Sequence, residues 1–344
     1  MTFDANGNII EVDDGGVFRR TSPKDNRGDW FSVNGTLQVT EAHDIAWDSL
    51  SNVAMTGNQD TGTTFQPGAG ATQWESISTG DGGDIGIDNI QLASSRQSVR
   101  YSSFQNLGGL RRTVWDSSGV LVSTSFPSLI PASGSPAIVP GFRTPLETNS
   151  VVGGRLLIQA SNSLYESLDA GATVNAIGVG QGVSISGIFS NAIWYGGTKN
   201  NVANPDLVWA ASGSDVFLRT SGVGNVVRTS GDPTSQLIRD LAVNYSNSDN
   251  VFVVDGSRVF QSDDAGTNWS DITGDLLGLA SDLFSITFVT GPASNSILVG
   301  TNLGVFVSST ATLGVWGKLG SGLPNVLAFD MEYDVADDVL VLGT

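Results

Sequence analysis

The chain of 344 residues has a formal charge of −18, no cysteine and 43 glycines, and only 15% of it is Asp, Glu, Lys or Arg. Disulfides and thiolate metal sites are therefore excluded, and sequence-independent binding to nucleic-acid phosphates, which needs clustered Lys and Arg, is not expected. No apolar run reaches the length of a membrane-spanning helix, and the start Met1-Thr-Phe-Asp4 has no basic stretch followed by an apolar one.

Short bursts of Val, Ile, Thr and aromatic residues, separated by Gly, Asn, Asp and Ser clusters, predict an all-β fold. In chain order, Val17-Phe18 has the form of a strand anchored by an aromatic residue, and an outer strand begins near Trp30. His43-Asp-Ile-Ala-Trp47 then predicts a first strand, Val53-Ala-Met-Thr56 a second, Thr64-Phe65 a third and the region of Trp74 a fourth. A third strand is next expected within Leu110-Arg-Arg-Thr-Val-Trp115, then at Leu164-Tyr165 and Val216-Phe217, with Val174 opening an outer strand.

The C-terminal half repeats the pattern at constant spacing. Arg239-Asp-Leu-Ala-Val243, Phe284-Ser-Ile-Thr-Phe288 and Phe329-Asp-Met-Glu-Tyr333 are first strands, and Val251–Val254, Ile297–Gly300 and Val339–Leu342 are second strands. Val259-Phe260 and Val305-Phe306 are third strands, with Trp269 and Trp316 opening the fourth. A period of this length predicts four-stranded sheets stacked around an axis, a β-propeller of seven blades, with eight as the alternative. Residues 9–18 align without a gap with residues 297–306, so the ring is expected to close through the two termini, with the C-terminal pair docking on the N-terminal blade. The expectation is one domain over 1–344, excised from a longer extracellular or cell-surface protein that continues past Gly343-Thr344.

Ser262, Asp264, Gly266, Asn268 and Trp269 fall on the pattern Ser-x-Asp-x-Gly-x-(Thr/Asn)-Trp, and Ser167, Asp169, Gly171 and Thr173 repeat it with Val174 in place of Trp. The pattern resembles the Asp-box, or BNR repeat, of sialidase-like, sortilin-like and xyloglucanase-like β-propellers, and residues 308–316 and 220–226 look like degenerate copies. That resemblance implies a turn between third and fourth strands on the outside of the propeller, and a structural role for its Asp residues. Asp13-Asp-Gly-Gly-Val-Phe-Arg19, Asn58-Gln-Asp-Thr-Gly62 and Gly80-Asp-Gly-Gly83 are similar to turns of bacterial propellers in the same superfamily, whereas residues 105–155 carry little of the likeness.

By resemblance to the turn that holds the catalytic base of two-propeller xyloglucanases, Asp13 would activate water. Hydrolysis also needs a second carboxylic acid, about 5 Å away for retention or about 6.5–9.5 Å for inversion. Asp60 and Asp81 are the candidates. The family's cleft lies between two propellers and one is present here, so a glycoside hydrolase acting on polysaccharide is the alternative reading. Arg19, Arg20, Arg100, Arg111, Arg112 and Arg239 supply guanidiniums, but the Arg-Ile-Pro start of sialidases is absent.

His43 is the one histidine, which excludes multi-His metal sites; with Asp44 it begins an innermost strand near a channel opening. His43, Asp44, Arg19 and Arg239 are the candidate binding residues. Asp4-Ala-Asn-Gly-Asn8 and Asp81-Gly-Gly-Asp84 look like fragments of calcium loops without the twelve-residue spacing. No cofactor is required, and a structural calcium is the ion such loops would suit. The expected function is a non-catalytic interaction module that binds a protein or glycan through the loops at the channel mouth.

Overall fold

In the segment Asn247–Asp255, Val251 and Val253 point to one side and Phe252 and Val254 to the other, and none of the four reaches solvent. A strand apolar on both faces must lie between two further layers. The computed structural model describes residues 1–13, 16–35, 40–185, 187 and 190–344, and it repeats this arrangement along the chain.

The first sheet comprises β1 (Thr2–Phe3), β2 (Ile9–Asp13), β3 (Gly16–Arg20) and β4 (Trp30–Ser32). The second comprises β5 (Ala42–Asp48), β6 (Val53–Asn58), β7 (Thr61–Phe65) and β8 (Glu75–Ser76), with β9 (Gly80–Asp81) parallel to β7. The third comprises β10 (Gly86–Asp88), β11 (Gln97–Phe104), β12 (Gly108–Asp116) and β13 (Leu121–Ser125), so the expected strand over 110–115 lies within β12. After β14 (Ile130–Pro131), which runs parallel to β18, the fourth comprises β15 (Leu146–Thr148), β16 (Leu156–Gln159), β17 (Leu164–Ser167) and β18 (Thr173–Ala176).

The fifth holds β19 (Ile193–Lys199), β20 (Val202–Ser212), β21 (Asp215–Arg219) and β22 (Val227–Arg228), and is joined to the sixth where Lys199 of β19 pairs with Asn247 of the next blade. The sixth holds β23 (Ile238–Asn244), β24 (Asn247–Asp255), β25 (Val259–Ser262) and β26 (Ser270–Asp271), and the seventh β27 (Leu283–Val289), β28 (Ser296–Thr301), β29 (Gly304–Ser309) and β30 (Gly317–Lys318). A hairpin of β31 (Asp330–Asp334) and β32 (Val339–Gly343) follows.

The strands β5, β10, β15, β19, β23, β27 and β31 each lie beside the next, and β31 lies beside β5. Sheets arranged in this way around a common axis form a β-propeller. The core is divided among the gaps between neighbouring sheets. Phe252, Val254, Ile286, Phe288, Val299 and Trp316 fill the gap between the sixth and seventh sheets, and Trp209, Val216, Leu241, Val251 and Val253 fill the one before it. Each such side chain contributes about 1.5–3 kcal/mol on burial, so the second to seventh sheets are held by their neighbours, whereas among the described residues β1–β4 supply none to these clusters.

Closure differs from the expectation that the termini share one blade. Among the described residues β32 pairs with β31 alone, while β1 to β4 pair with one another. Both β2 and β32 have a second-strand sequence, and β3 is already paired with β2, so no third strand is left for β32. The hairpin instead closes onto β5. Asp330 Oδ2 accepts from the backbone N–H of Ile45 at 2.9 Å, Glu332 Oε2 from that of Trp47 at 3.2 Å, and Thr344 O from that of Ala42 at 2.9 Å.

Candidate channel site

The innermost strands place a carboxylate at the same repeat position: Asp44 on β5, Asp240 on β23 and Asp330 on β31. Each reaches sideways to the next strand of the ring. Asp44 Oδ2 accepts from Ile85 N at 2.6 Å, Asp240 Oδ2 from Ile286 N at 2.7 Å and Asp330 Oδ2 from Ile45 N. Asp84, just before β10, does the same for Leu146 N at 3.3 Å. Because a buried N–H without a partner is costly, these acids act as latches that set the level of each blade against its neighbour.

Crowding acids in a confined space disfavours their charged forms. Burial first, and the neighbouring charge of Asp84 second, push Asp44 well above the usual carboxylate range. Burial raises Asp84 to about 6 against the opposing pull of Arg143, and holds Asp240 well above the usual carboxylate range. Glu147 on β15 is raised by burial and then by Glu332, while Glu332 is raised to about 8 by burial and then by Asp330.

These strands line a cavity of about 430 Å³ that runs from Asp44, Asp240 and Asp330 near their starts to Ser49, Ser150 and Ala336 past their ends. Its wall includes Trp47, Trp194, Tyr245 and Tyr333, together with Asp44, Glu147, Asp240, Asp330, Glu332 and Asp334. Trp194 meets Tyr245 edge-on at 5.4 Å between ring centres, and the Tyr245 hydroxyl donates to Tyr333 O at 3.0 Å. The volume lies within the range of small-ligand pockets, about 300–1,000 Å³. Sequence reading singled out Asp44 but not Glu147, Trp194 or Tyr245. The repeated first-strand pattern was the available signal, since it marks which residues face the axis.

The hydrolase candidates lie elsewhere. Asp81 Oδ1 accepts from Gln59 Nε2 at 2.6 Å and from Asp60 N at 3.0 Å, and the same Gln59 amide reaches Asp60 Oδ1 at 3.1 Å. Asp60 and Asp81 are thus brought together around one side-chain amide. Asp13 is exposed at the end of β2 in the first sheet, opposite Gly16; Asp14 and Gly15 lie outside the described residues.

His43 is buried near Asp60 and Asp81, with Nε2 lacking a partner. Burial and then the charge of Arg143 hold it near about 4, so it is neutral at physiological pH. Arg143 Nη2 donates to His43 O at 2.7 Å and pairs with Asp84 at 3.4 Å. Arg239 ties β23 to β27 by pairing with Asp282 at 2.7 Å, donating to Leu283 O at 2.7 Å and lying over the Phe284 ring. Arg19 lies on β3 opposite Ile10 and Phe31.

The two Asp turns share one hydrogen-bond pattern. Ser167 Oγ and Ser262 Oγ each donate to Asp169 or Asp264 Oδ1 at 2.9 Å and accept from Gly171 N or Gly266 N at 2.9 Å. The same carboxylates accept from the N–H of Thr173 and Asn268, both at 2.8 Å. Gly171 and Gly266 have φ of 88° and 80°, where a side chain would be strained. Trp269 Nε1 donates to Gly231 O of the preceding turn at 3.2 Å. Both turns join third to fourth strands. The Asp4 carboxylate is likewise occupied by the backbone of Asn6 and Asn8, and among the described residues no three acidic or histidine side chains are grouped to hold a metal ion.

No protein-family model matches the sequence, and no curated protein matches it. Solved structures share the fold. The β-propeller domain of Cps50 (Swd1) from Myceliophteria thermophila is 10% identical with a TM-score of 0.57, covering 89% of this chain and 93% of that one. The extracellular domain of the putative hybrid two-component system BT3049 from B. thetaiotaomicron is 12% identical with a TM-score of 0.59, covering 91% and 40%. The GH74 enzyme of Niastella koreensis is 13% identical with a TM-score of 0.53, covering 89% and 41%. The chain therefore spans about two-fifths of the latter two, and identities this low speak to fold alone.

Proposed function

We propose that the chain is a non-catalytic binding module, a ring of seven blades that takes a protein or glycan ligand at the channel end. It would serve as one domain of an extracellular or surface protein, a setting favoured by its likeness to the extracellular domain of BT3049. The observation that carries the reading is the cavity walled by Trp47, Trp194 and Tyr245 beside unspent polar groups. Aromatic walls with a few convergent polar groups are the usual build of a ligand site.

Hydrolysis is less well supported. A glycosidase needs two carboxyls flanking the scissile bond, whereas Asp60 and Asp81 both face the amide of Gln59 and Asp13 belongs to another sheet. A structural calcium is not needed to hold the Asp4 turn, whose carboxylate is already filled by its own backbone.

Glycan and peptide arrays test the reading together with a reducing-end assay on the same glycans. Binding without turnover, weakened in Trp194→Ala, is expected. Turnover that disappears in Asp81→Asn would replace this reading with the hydrolase.

A further inference from the structure

The acids of the channel differ in what they do. Asp240 accepts from Leu241 N and Ile286 N, Asp330 from Ile45 N, Glu332 from Trp47 N, and Asp334 from Asp337 N. Asp88, also in the wall, accepts from Ile90 N, Gln91 N and Gly154 N. These are latches, and the fold accounts for them. Among the described residues no donor reaches the carboxylate of Glu147, although it projects from β15 into the same wall. Asn191 Oδ1, in the same wall, is buried and also without a donor, its Nδ2 being directed to Asp44 Oδ1 at 3.4 Å.

Asn191 Oδ1, a buried acceptor without a donor, is a cost that folding does not explain, and the partly accessible Glu147 carboxyl is left free to meet a ligand. No Lys, Arg or His is present among the described residues lining the cavity to offset it. The rest of the wall is aromatic: Trp47 and Trp194 are each partly accessible, and Tyr245 packs against Trp194 and Tyr333. Ring faces attract cations through their quadrupole, most strongly in a site withdrawn from water. A bare metal ion would need three or more grouped ligands, a grouping not found among the described residues.

We propose that the cavity binds an organic monocation, the ammonium or guanidinium end of a basic side chain, with Glu147 and Asn191 Oδ1 accepting its N–H groups and Trp47, Trp194 and Tyr245 flanking it. The inference rests on the binding-module reading and names its ligand class. The charges facing Glu147 are Asp84 before β10, Asp240 on β23, and Asp330 and Glu332 on β31. Arg143 acts on the Asp44, Asp84 and Asp330 end of the group, and the Tyr245 hydroxyl is held protonated by burial and by Glu332 and Glu147. Because burial favours the protonated forms of these acids, an entering cation displaces protons, and its affinity rises with pH.

Calorimetric titration with Nα-acetyl-lysine methylamide and Nα-acetyl-arginine methylamide tests the inference, with the norleucine and citrulline analogues as neutral counterparts. The two cations separate an ammonium from a guanidinium preference. Binding of at least one cation is expected, its neutral counterpart being weaker by about tenfold or more. Glu147→Gln should weaken the cation to a similar degree while leaving the ligand-free protein as stable as before or more so, since no hydrogen bond is removed. A latch role predicts the opposite, a drop in Tm with no change in cation selectivity. Equal binding of norleucine, or undiminished cation binding by Glu147→Gln, overturns the inference. If neutral peptides or glycans bind and are lost in Trp194→Ala, the cation inference fails and the binding module stands; if no ligand of either class depends on Trp194, both fall.

Discussion

Replacing Asp48 with Ala removes the acceptor of a guanidinium that has no route to water. Asp48, at the end of β5, and Arg100, on β11 of the next sheet, have side chains 0% and 1% exposed and pair at 2.6 Å. Asp48 also accepts from Arg100 Nε at 2.9 Å, Ser98 Oγ at 2.5 Å, Ser51 Oγ at 2.9 Å and Leu50 N at 2.9 Å. In Asp48→Ala the Arg100 charge keeps the Ser51 hydroxyl and the face of Trp115, 4.6 Å away, but no counter-charge. Breaking a buried pair from one side costs about 3–5 kcal/mol. Urea denaturation followed by both circular dichroism and tryptophan fluorescence should show the midpoint falling with an unchanged slope. Asp48→Ala combined with Arg100→Met should recover part of the loss, because no charge is then stranded. A single-variant loss below about 1 kcal/mol, the value of an exposed pair, would refute the reasoning.

The channel acids give stability an unusual pH dependence. Glu332 is raised from 4.5 to about 8, so the folded protein holds a proton that the unfolded chain has released. That contribution is fully present below about 4.5 and is lost as the pH rises through about 8, so Tm falls between pH 5 and pH 8.5. Glu332→Gln should flatten the fall, and an identical slope in the variant would sink the assignment. At the two Asp turns, Asp169→Ala and Asp264→Ala should each lower Tm without altering ligand binding, as thermal scans and titrations would report. Unchanged Tm in both variants would remove the turns from the account of blade register.

Strand order was legible because each blade repeats the same local pattern. The aromatic anchors Phe65, Tyr165, Phe217, Phe260 and Phe306 all lie on third strands, and Val251–Val254 shows in its sequence that both faces are covered. The Asp turns were legible for a related reason: Ser262, Asp264, Gly266 and Asn268 satisfy one another within a single turn. The cavity was not legible, because its wall takes residues from several blades, so that Glu147 and Glu332 are remote in sequence yet share one electrostatic environment. The Asp48–Arg100 pair was hidden likewise, since Arg100 entered only as one of several guanidiniums in the sialidase comparison. Ring closure was misplaced because β2 and β32 carry equivalent second-strand sequences, and local pattern does not decide which of them has a third strand available.

Where the ligand sits tests the account most directly. A crystal structure with a ligand recovered from the arrays should place it in the channel cavity, against Trp47, Trp194 and Tyr245 and within hydrogen-bond reach of Glu147. Density lying instead over Asp60 and Asp81, with the cavity unfilled, would contradict it.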